Sequence, residues 1–404
     1  MAIDGRPVRA HRPAPDPRRW RRSVLARLIA LSLLVLFPLA AHAQDSAFET
    51  RASHAVILDY ETGEILYSKN GAEPMPPASM SKLMTVYMAF EAIEEGRLSM
   101  DDELPVSETA WRRGGAASGS STMFLEPNSR ARVDDLLRGI IVQSGNDACI
   151  VIAEALEGTE ENFADAMTDR AHELGLDSAN FENATGWPDP DHRISAADLA
   201  RLAAIIIRDF PELYDIYAET EFAYNGIRQY NRNPLLGVVE GADGLKTGHT
   251  TESGYGLVGS AERDGERRIV VFNGMESERA RADEAERLMR AAFTEFEIYE
   301  IVSAGDILAE ADVFLGVSPR VALRASRDLA VGLHRRDRDD ITAEVVYTAP
   351  VRAPVEEGQE IGRLVVTMPG GRVEEIPLEA AMAVPEKGAI GRAVAALVQL
   401  IRGA

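Results

Sequence analysis

Two short apolar runs near the start of the chain predict a β-hairpin. Residues 54–60 and 64–67 are rich in aliphatic and aromatic side chains, and Thr62 and Gly63 lie between them. Runs of this length on either side of a glycine-containing turn are typical of two antiparallel strands. We therefore expect the folded part of the chain to begin with a hairpin.

Helical periodicity follows the hairpin. Pro76 and Pro77 end the preceding element, and residues 80–95 have the apolar spacing of an amphipathic helix that Ser79 caps. Further segments with helical apolar spacing are 134–142, 148–156, 162–175 and 195–209. This part of the chain is therefore expected to form a cluster of helices.

Strand-like segments return after residue 240. Residues 244–250, 255–260 and 268–272 are short and bounded by turn residues, and the charged stretch 278–295 predicts a closing helix. Together with the N-terminal hairpin, these segments predict an antiparallel sheet built from both ends of the region. The predicted fold class is α+β, a helical cluster with an antiparallel sheet, over residues 44–297.

The pattern changes again from about residue 299. Short β-type segments alternate with Gly, Pro and Asp turns, which predicts a small all-β domain over residues 298–386. The segments are 312–315, 320–323, 330–332, 343–347 and 361–367.

The last segment, residues 387–404, predicts one amphipathic helix over residues 387–402. Its apolar face consists of Ile390, Val394, Leu397, Val398 and Ile401, and its polar face of Arg392, Gln399 and Arg402. A helix of this length spans about 24 Å, too little to cross a bilayer. One apolar face opposite basic residues is typical of a helix that lies in the membrane interface. We expect a peripheral membrane anchor; a helix docked on the β domain is the alternative.

The first 43 residues have the pattern of a secretory signal peptide. Five arginines within residues 18–27 precede an apolar run over residues 28–41, and Ala41-His42-Ala43 offers a cleavage site. A retained N-terminal anchor is the alternative. Export and the C-terminal helix together predict a peripheral protein on the periplasmic face of the cytoplasmic membrane.

Charge and cysteine content narrow the possible partners. The chain carries a net charge of −22, and residues 1–43 hold eight arginines and two aspartates, so the exported part carries −28. Such acidity argues against nucleic acid as a partner. Because Cys149 is the single cysteine, no intrachain disulfide can form.

A serine and a lysine at the start of the first predicted helix are the strongest candidates for chemistry. Ser79 and Lys82 are three residues apart, so their side chains share one face of a helix, about 5–6 Å apart at Cβ. A serine hydroxyl becomes a nucleophile when a neighbouring base takes its proton, and an amine with a lowered pKa can be that base. A capping serine and a solvated lysine are the plain alternative.

The rarity of lysine favours the catalytic interpretation. The chain has four lysines, Lys69, Lys82, Lys246 and Lys387, against 39 arginines. An arginine keeps its proton near neutral pH, whereas a desolvated lysine can lose it. A lysine in so arginine-rich a chain therefore indicates that the amine itself is needed, at Lys82 and again at Lys246.

Two further motifs complete a set. Residues 144–146 (Ser-Gly-Asn) interrupt two predicted helices and can direct polar side chains into a cleft, and residues 246–248 (Lys-Thr-Gly) lie in the predicted strand 244–250. A second S-x-N match at residues 178–180 lies in a polar loop, where such residues usually form turns. The order S-x-x-K, S-x-N, K-T-G is that of penicillin-binding proteins and class A β-lactamases.

Longer segments around these motifs resemble the low-molecular-mass penicillin-binding proteins of the D-alanyl-D-alanine carboxypeptidase family. The resemblance rests on residues 77–82, 143–149, 183–187, 231–233 and 243–250. The β-rich tail resembles the C-terminal domain of that family, and the last helix resembles its membrane anchor. The resemblance covers residues 50–404 and implies the penicillin-binding/β-lactamase-like transpeptidase fold for the first domain.

The resemblance implies a serine-type hydrolase that removes the terminal D-alanine from peptidoglycan stem pentapeptides and that β-lactams acylate. Ser79 is then the nucleophile and Lys82 its base, while Ser144 and Asn146 pass protons and hold the substrate amide. Backbone N–H groups of Ser79 and His249 are expected to form the oxyanion hole. No metal or organic cofactor is implied.

The resemblance also implies a site for the substrate carboxylate. Lys246 and Thr247 bind that group, and Lys246 is expected to keep the pKa of Lys82 low through like charge. Arg232 matches a position near the carboxylate, and Asp198 one near the deacylation water. The implied substrate-binding residues are Lys246, Thr247, Gly248, His249, Arg232 and Asp198.

Three other functions share these motifs or this fold. A class A β-lactamase needs a deacylating glutamate; Glu182 precedes Asn183 in the corresponding loop, but within a different surrounding pattern. A non-catalytic sensor of penicillins or muropeptides would not need every motif residue, and all are present. A D,D-endopeptidase of the same fold typically lacks the β domain.

Overall fold

The computed structural model describes residues 48–391, which form two compact units. The first contains Phe48–Tyr299 with Val331–Arg335, and the second contains Glu300–Ala330 and the described residues from Arg336 onward. The predicted signal peptide, residues 1–43, and most of the predicted C-terminal helix, residues 387–402, lie outside the described residues. Within residues 48–391, no helix has the length and apolar character needed to span a bilayer.

The first unit combines eight α-helices with a set of short and long strands. The helices are α1 (Lys82–Glu94), α2 (Glu108–Gly114), α3 (Val133–Ile141), α4 (Asn146–Glu157), α5 (Glu160–Glu173), α6 (Ala196–Asp209), α7 (Pro211–Tyr214) and α8 (Glu278–Thr294). The strands are β1 (His54–Asp59), β2 (Ile65–Lys69), β3 (Pro74–Met75), β4 (Glu103–Pro105), β5 (Arg130–Arg132), β6 (Ile194–Ser195), β7 (Glu221–Tyr224), β8 (Ile227–Tyr230), β9 (Ala242–Thr250), β10 (Gly254–Arg263) and β11 (Glu266–Met275).

Five of these strands form the predicted antiparallel sheet, in the order β2-β1-β11-β10-β9. The N-terminal hairpin β1–β2 thus joins the strands β9 to β11 through the pairing of β1 with β11, as the sequence predicts. In β1, Val56 and Leu58 belong to the core on one face, whereas Ala55 and Ile57 belong to the core on the other. Side chains alternate between the two faces of a strand, so an uninterrupted apolar run indicates a sheet that is covered on both sides.

Hydroxyl side chains set the starts of several helices. The side-chain oxygens of Ser107, Thr159, Ser195 and Ser277 each accept a hydrogen bond from a backbone N–H in the first turn of α2, α5, α6 and α8. Such caps satisfy donors that the helix itself leaves without partners. The cap at Ser195 stands at the start of the segment 195–209, which the apolar spacing predicts to be helical.

The prediction of an amphipathic helix over residues 80–95 was wrong in two respects. A 3₁₀ turn at Ala78–Ser81 precedes α1, which begins at Lys82, and no side chain caps either element. Ten of the 13 side chains of α1 are buried, because other helices and the sheet surround it. A helix that is enclosed on all sides does not show the polar face on which the prediction relied.

Residues 296–391 consist mainly of strands, and the predicted all-β character is confirmed. They are β12 (Phe296–Val302), β13 (Ile307–Phe314), β14 (Arg320–Ala325), β15 (Leu329–His334), β16 (Thr342–Tyr347), β17 (Val351–Arg352), β18 (Glu360–Thr367) and β19 (Val373–Ala380). Strands β12 and β15 pair with each other, and the other six form one sheet in the order β16-β18-β19-β14-β13-β17. The β13–β17 pair is parallel, and β12, β17 and β19 were not predicted.

Candidate active site

The 3₁₀ turn before α1 brings Ser79 and Lys82 together. Lys82 Nζ lies 2.8 Å from Ser79 Oγ and also donates a hydrogen bond to the carbonyl of Thr185. The turn is held by Ser81, whose hydroxyl donates to the carbonyl of Ala78 at 3.0 Å. The predicted pair is therefore within hydrogen-bond distance, and the geometry suits proton transfer from the serine to the lysine.

Burial adjusts Lys82 for this role. The side chain is 0% exposed, and this desolvation lowers its pKa from the ordinary 10.5 to about 8. The charge of Arg232 acts in the same direction, whereas Glu160 and Asp147 oppose it. Because burial disfavours the charged form of an amine, a useful fraction of Lys82 is neutral near physiological pH.

The S-x-N motif lies in the sharp turn between α3 and α4. Ser144 has a left-handed backbone conformation with φ of 65°, and Asn146 begins α4. Asn146 Nδ2 donates to Ser120 Oγ at 3.0 Å. Ser144 Oγ and Asn146 Oδ1 are buried and have no hydrogen-bond partner among the described residues. Buried polar atoms normally have partners, so these two atoms are available for a substrate.

The glycine- and serine-rich segment that precedes this turn belongs to the site. In the structure, α2 ends at Gly114, and a 3₁₀ turn follows at Ala116–Ser118. Ser120 then accepts the bond from Asn146, and Ser121 Oγ accepts one from Arg232 Nη1 at 2.8 Å. The segment therefore joins the second motif to a predicted substrate-binding arginine.

Asp147 fixes the end of this segment to the start of α4. Its carboxylate accepts hydrogen bonds from Thr122 Oγ1 at 2.6 Å, from the N–H of Met123 at 3.0 Å and from that of Leu125 at 3.1 Å. The residue is fully buried. This role of Asp147 cannot be predicted from the sequence, because these three partners are more than 20 residues away along the chain.

The third motif lies on β9, directly against the nucleophile turn. A Cβ atom at Gly248 would lie 2.8 Å from the carbonyl oxygen of Pro77 and 3.0 Å from Met80 Cγ. Only glycine permits this approach between the strand and the turn. His249 stacks on Tyr255, with ring centroids 3.8 Å apart, so its imidazole is held beside the strand.

Basic side chains gather around Lys246. Lys246 is 3% exposed, and burial lowers its pKa well below the ordinary value, with the like charges of Lys82 and Arg232 lowering it further. Arg281 on α8 acts on Lys246 in the same direction, is itself 6% exposed, and has an Nε without a hydrogen-bond partner among the described residues. An anion placed there would relieve this repulsion.

The expected effect of Lys246 on Lys82 needs correction. Burial is the main cause of the lowered Lys82 pKa, and Arg232 is the cation that contributes most to it. The like charge of Lys82 in turn lowers the pKa of Lys246, after burial. Two buried amines in one site favour a state with a single positive charge.

Asp198 has a structural role in the described residues. Its carboxylate accepts bonds from the N–H of Ser178 and from the Ser178 hydroxyl, and it forms an ion pair with Arg201 at 2.6 Å. None of these partners belongs to the three motifs, and a place for Asp198 near the deacylation water stays a prediction. The same contacts engage the hydroxyl of the competing motif at residues 178–180, which favours Ser144.

The loop at residues 183–187 contributes a group that the sequence analysis did not identify. Asn183 Oδ1 accepts hydrogen bonds from Thr185 N at 3.1 Å and from Trp187 N at 2.9 Å, which shapes the loop so that the Thr185 carbonyl meets Lys82. A Cβ atom at Gly186 would lie 2.1 Å from the carbonyl oxygen of Ala78. A backbone carbonyl has no signature in the sequence, so this contact could not be predicted.

Comparison with known proteins gives a consistent result. The profile of the D-alanyl-D-alanine carboxypeptidase family matches residues 40–276, and that of the penicillin-binding protein 5 C-terminal domain matches residues 296–386. The D-alanyl-D-alanine carboxypeptidase DacC of Escherichia coli is 36% identical over 377 residues, which cover 92% of this chain and 94% of the relative.

Solved structures extend the comparison to three dimensions. Penicillin binding protein 5 of Haemophilus influenzae matches with a TM-score of 0.65 and 35% identity, over 84% of this chain and 99% of that one. Penicillin-Binding Protein D2 of Listeria monocytogenes, in its ampicillin-bound form, matches with a TM-score of 0.53 and 30% identity, over 61% and 98% of the two chains.

Proposed function

The chain belongs to the D-alanyl-D-alanine carboxypeptidase family, and from this we propose a mechanism in which Ser79 and Lys82 remove the terminal D-alanine of a peptidoglycan stem peptide. The enzyme is a serine-type hydrolase of the penicillin-binding group. The observation that carries the mechanism is the 2.8 Å contact between Lys82 Nζ and Ser79 Oγ, with a Lys82 pKa of about 8.

Acylation begins when neutral Lys82 takes the proton from Ser79 Oγ. The oxygen attacks the carbonyl carbon of the penultimate D-alanine, and the backbone N–H groups of Ser79 and His249 stabilise the oxyanion. The C–N bond then breaks, and the leaving amine receives a proton by way of Lys82 and Ser144. Water hydrolyses the acyl-enzyme and regenerates Ser79.

The substrate is held at both ends of the scissile bond. The terminal carboxylate binds beside Lys246 and Thr247, where Arg232 and Arg281 add positive charge. An anion at this position raises the pKa of Lys246, because an opposite charge favours the protonated amine. Asn146 Oδ1, which has no partner among the described residues, accepts the substrate amide N–H.

A β-lactam is expected to acylate the same serine, because its strained amide takes the place of the D-alanyl-D-alanine bond. The ampicillin-bound form of the Listeria relative supports this proposal. Glu182 accepts a bond from Asn180 Nδ2 at 2.8 Å and is exposed, so it does not suit the deacylating role of a β-lactamase glutamate. We therefore do not propose β-lactamase activity.

Release of D-alanine from a stem pentapeptide tests the function, and its pH dependence tests the mechanism. Lys82 acts in its neutral form, so kcat/KM should rise about tenfold per pH unit below pH 8 and level off above it. At pH 7, about one tenth of Lys82 is neutral. The measurement is free D-alanine over a pH series, with the rate of penicillin acylation as an independent probe of the same base.

Two results would contradict these proposals. A wild-type enzyme that releases no D-alanine from the pentapeptide would reject the carboxypeptidase function. An acid limb with its midpoint near pH 10, the pKa range of an ordinary lysine, would show instead that burial does not lower the pKa of Lys82.

For the chain ends, we propose that residues 1–43 direct export and that residues 387–402 hold the enzyme on the periplasmic face of the cytoplasmic membrane. The relatives are bacterial cell-wall enzymes, which supports a location in the cell envelope. The catalytic segment 44–297 and the β-rich segment 298–386 remain our proposed division of the mature chain, beside the family matches at 40–276 and 296–386.

Truncation after Lys387 should release the enzyme from the membrane fraction and leave its activity on a small peptide unchanged. The truncated chain keeps two backbone contacts near its end, from Val317 N to Pro385 O and from Lys387 N to Leu315 O. The measurement is fractionation of cells with D-alanine release from each fraction. A shortened protein that stays with the membrane, or that unfolds, would contradict the anchor proposal.

A further inference from the structure

Glu160 is a buried carboxylate close to the catalytic lysine that the mechanism above does not use. It is the first residue of α5, yet its side chain turns inward and is only 5% exposed. One oxygen accepts a hydrogen bond from the N–H of Ala184 at 3.3 Å, and the other lies 3.1 Å from Arg113 Nη2. Burial raises its pKa, and Arg113 opposes that effect.

The backbone N–H that Glu160 binds lies one residue before the carbonyl that contacts Lys82. Ala184 is followed by Thr185, whose carbonyl accepts the hydrogen bond from Lys82 Nζ. On the other side, the carbonyl of Ala184 accepts a bond from Thr85 Oγ1 on α1 at 2.7 Å. The Ala184–Thr185 segment is therefore anchored from α1 and from α5, and Glu160 is the anchor from α5.

Glu160 and Thr185 also line the same cavity. This cavity of about 490 Å³ includes Arg113 and Trp187 in its wall, and it lies beside the loop that contacts Lys82. Loss of the Glu160 carboxylate can therefore displace Ala184 and, with it, the Thr185 carbonyl that contacts Lys82.

Glu160 also affects Lys82 through its charge, which raises the pKa of the lysine. The cations that face Lys82 are Arg232, from the segment after β8, and Lys246 on β9. The carboxylates are Asp147 on α4 and Glu160 on α5.

Two other titratable neighbours of Lys82 are neutral near pH 7. Burial raises the pKa of the Cys149 thiol to about 12, and burial lowers the pKa of His192 to about 4. Glu160 and Asp147 therefore supply the negative charge around the lysine, and Asp147 is already engaged by several backbone N–H groups.

We propose that Glu160 is a positioning residue for the catalytic lysine: its carboxylate binds the N–H of Ala184 and so holds the Ala184–Thr185 segment, with the Thr185 carbonyl, against Lys82, and its charge offsets that of Arg232 and Lys246. The inference rests on the proposed role of Lys82 as base. The first effect keeps the amine directed at Ser79, and the second sets the pH at which the amine becomes neutral.

Three variants separate the two effects. Glu160→Gln keeps an acceptor for the N–H of Ala184 and removes the charge, whereas Glu160→Ala removes both. Glu161→Gln is the matched control, because Glu161 is the next residue of α5, pairs with the same Arg113 and is exposed. Each is assayed for D-alanine release over a pH series, for the rate of penicillin acylation and for thermal stability.

Glu160→Gln should move the acid limb of kcat/KM to lower pH by about half a unit, because loss of a nearby negative charge lowers the pKa of the protonated amine. Its plateau rate should stay within about threefold of wild type. Glu160→Ala should show the same shift and also lose about tenfold in plateau rate, since the Ala184 peptide is no longer held. Glu161→Gln should show neither change.

An unmoved acid limb in Glu160→Gln would overturn the charge effect. A plateau rate in Glu160→Ala equal to that of Glu160→Gln would overturn the anchoring effect. If Glu160→Ala does not fold, Glu160→Asn tests the anchor, because its shorter side chain keeps an amide that cannot reach the N–H of Ala184. These outcomes are distinct from failure of the carboxypeptidase function, which would appear as absent D-alanine release in the wild-type enzyme.

Discussion

Replacement of Ser79 by alanine should abolish both the release of D-alanine and covalent labelling by a fluorescent penicillin. The loss in turnover should be at least about 10³-fold, because the acyl-enzyme cannot form without the hydroxyl. The protein should still fold, since Ser79 caps neither the 3₁₀ turn nor α1. The measurement is labelling on a gel together with D-alanine release at pH 8 to 9.

Ser81→Ala is the matched control for this variant. Ser81 lies in the same turn, but its hydroxyl is buried and donates to the carbonyl of Ala78 at 3.0 Å. Its loss should lower the free energy of unfolding by about 1 kcal/mol and leave labelling intact. Penicillin labelling that survives in Ser79→Ala and disappears in Ser81→Ala would move the nucleophile to Ser81.

Lys82→Arg should be almost inactive although it keeps the positive charge. A guanidinium does not give up its proton near neutral pH, so it cannot take the proton from Ser79. The fully buried amine also has two close partners, Ser79 Oγ and the Thr185 carbonyl, and a larger head group cannot keep both contacts. The expected loss in acylation rate is about 10³-fold.

Lys246→Arg is the comparison that makes this result informative. Lys246 is proposed to bind an anion, and a guanidinium can also bind a carboxylate, so the loss should be about tenfold and fall mainly on KM. Acylation by penicillin and hydrolysis of a stem peptide should be measured for both variants over the same pH range. Equal losses in the two variants would contradict the distinction between a base and an anion-binding lysine.

Local chemistry explains why much of the site can be read from the sequence. Ser79 and Lys82 are three residues apart, so a single turn of backbone places Lys82 Nζ 2.8 Å from Ser79 Oγ. The Ser144 turn and the Lys246 strand are also short segments, each with its chemistry inside a few residues. Scarcity of lysine points to the same two amines, because arginine cannot replace a neutral base.

The periodicity of apolar residues likewise predicts most of the elements. The hairpin, the strands β9 to β11 and the helix α8 all appear at their predicted places. The amphipathic character predicted for α1 was wrong, because enclosure by the rest of the core depends on distant segments rather than on the helix itself. The side-chain pattern of one segment does not show how many neighbours will cover it.

Contacts between distant segments account for the parts that sequence analysis did not identify. The Thr185 carbonyl reaches Lys82 across 103 residues, and the Glu160 carboxylate reaches Ala184 across 24. Asp198 likewise binds the Ser178 hydroxyl across 20 residues, a contact that local resemblance does not show. The sequence thus predicts the groups that react, since their chemistry is local, whereas burial and long-range packing set their pKa values and hold them in place.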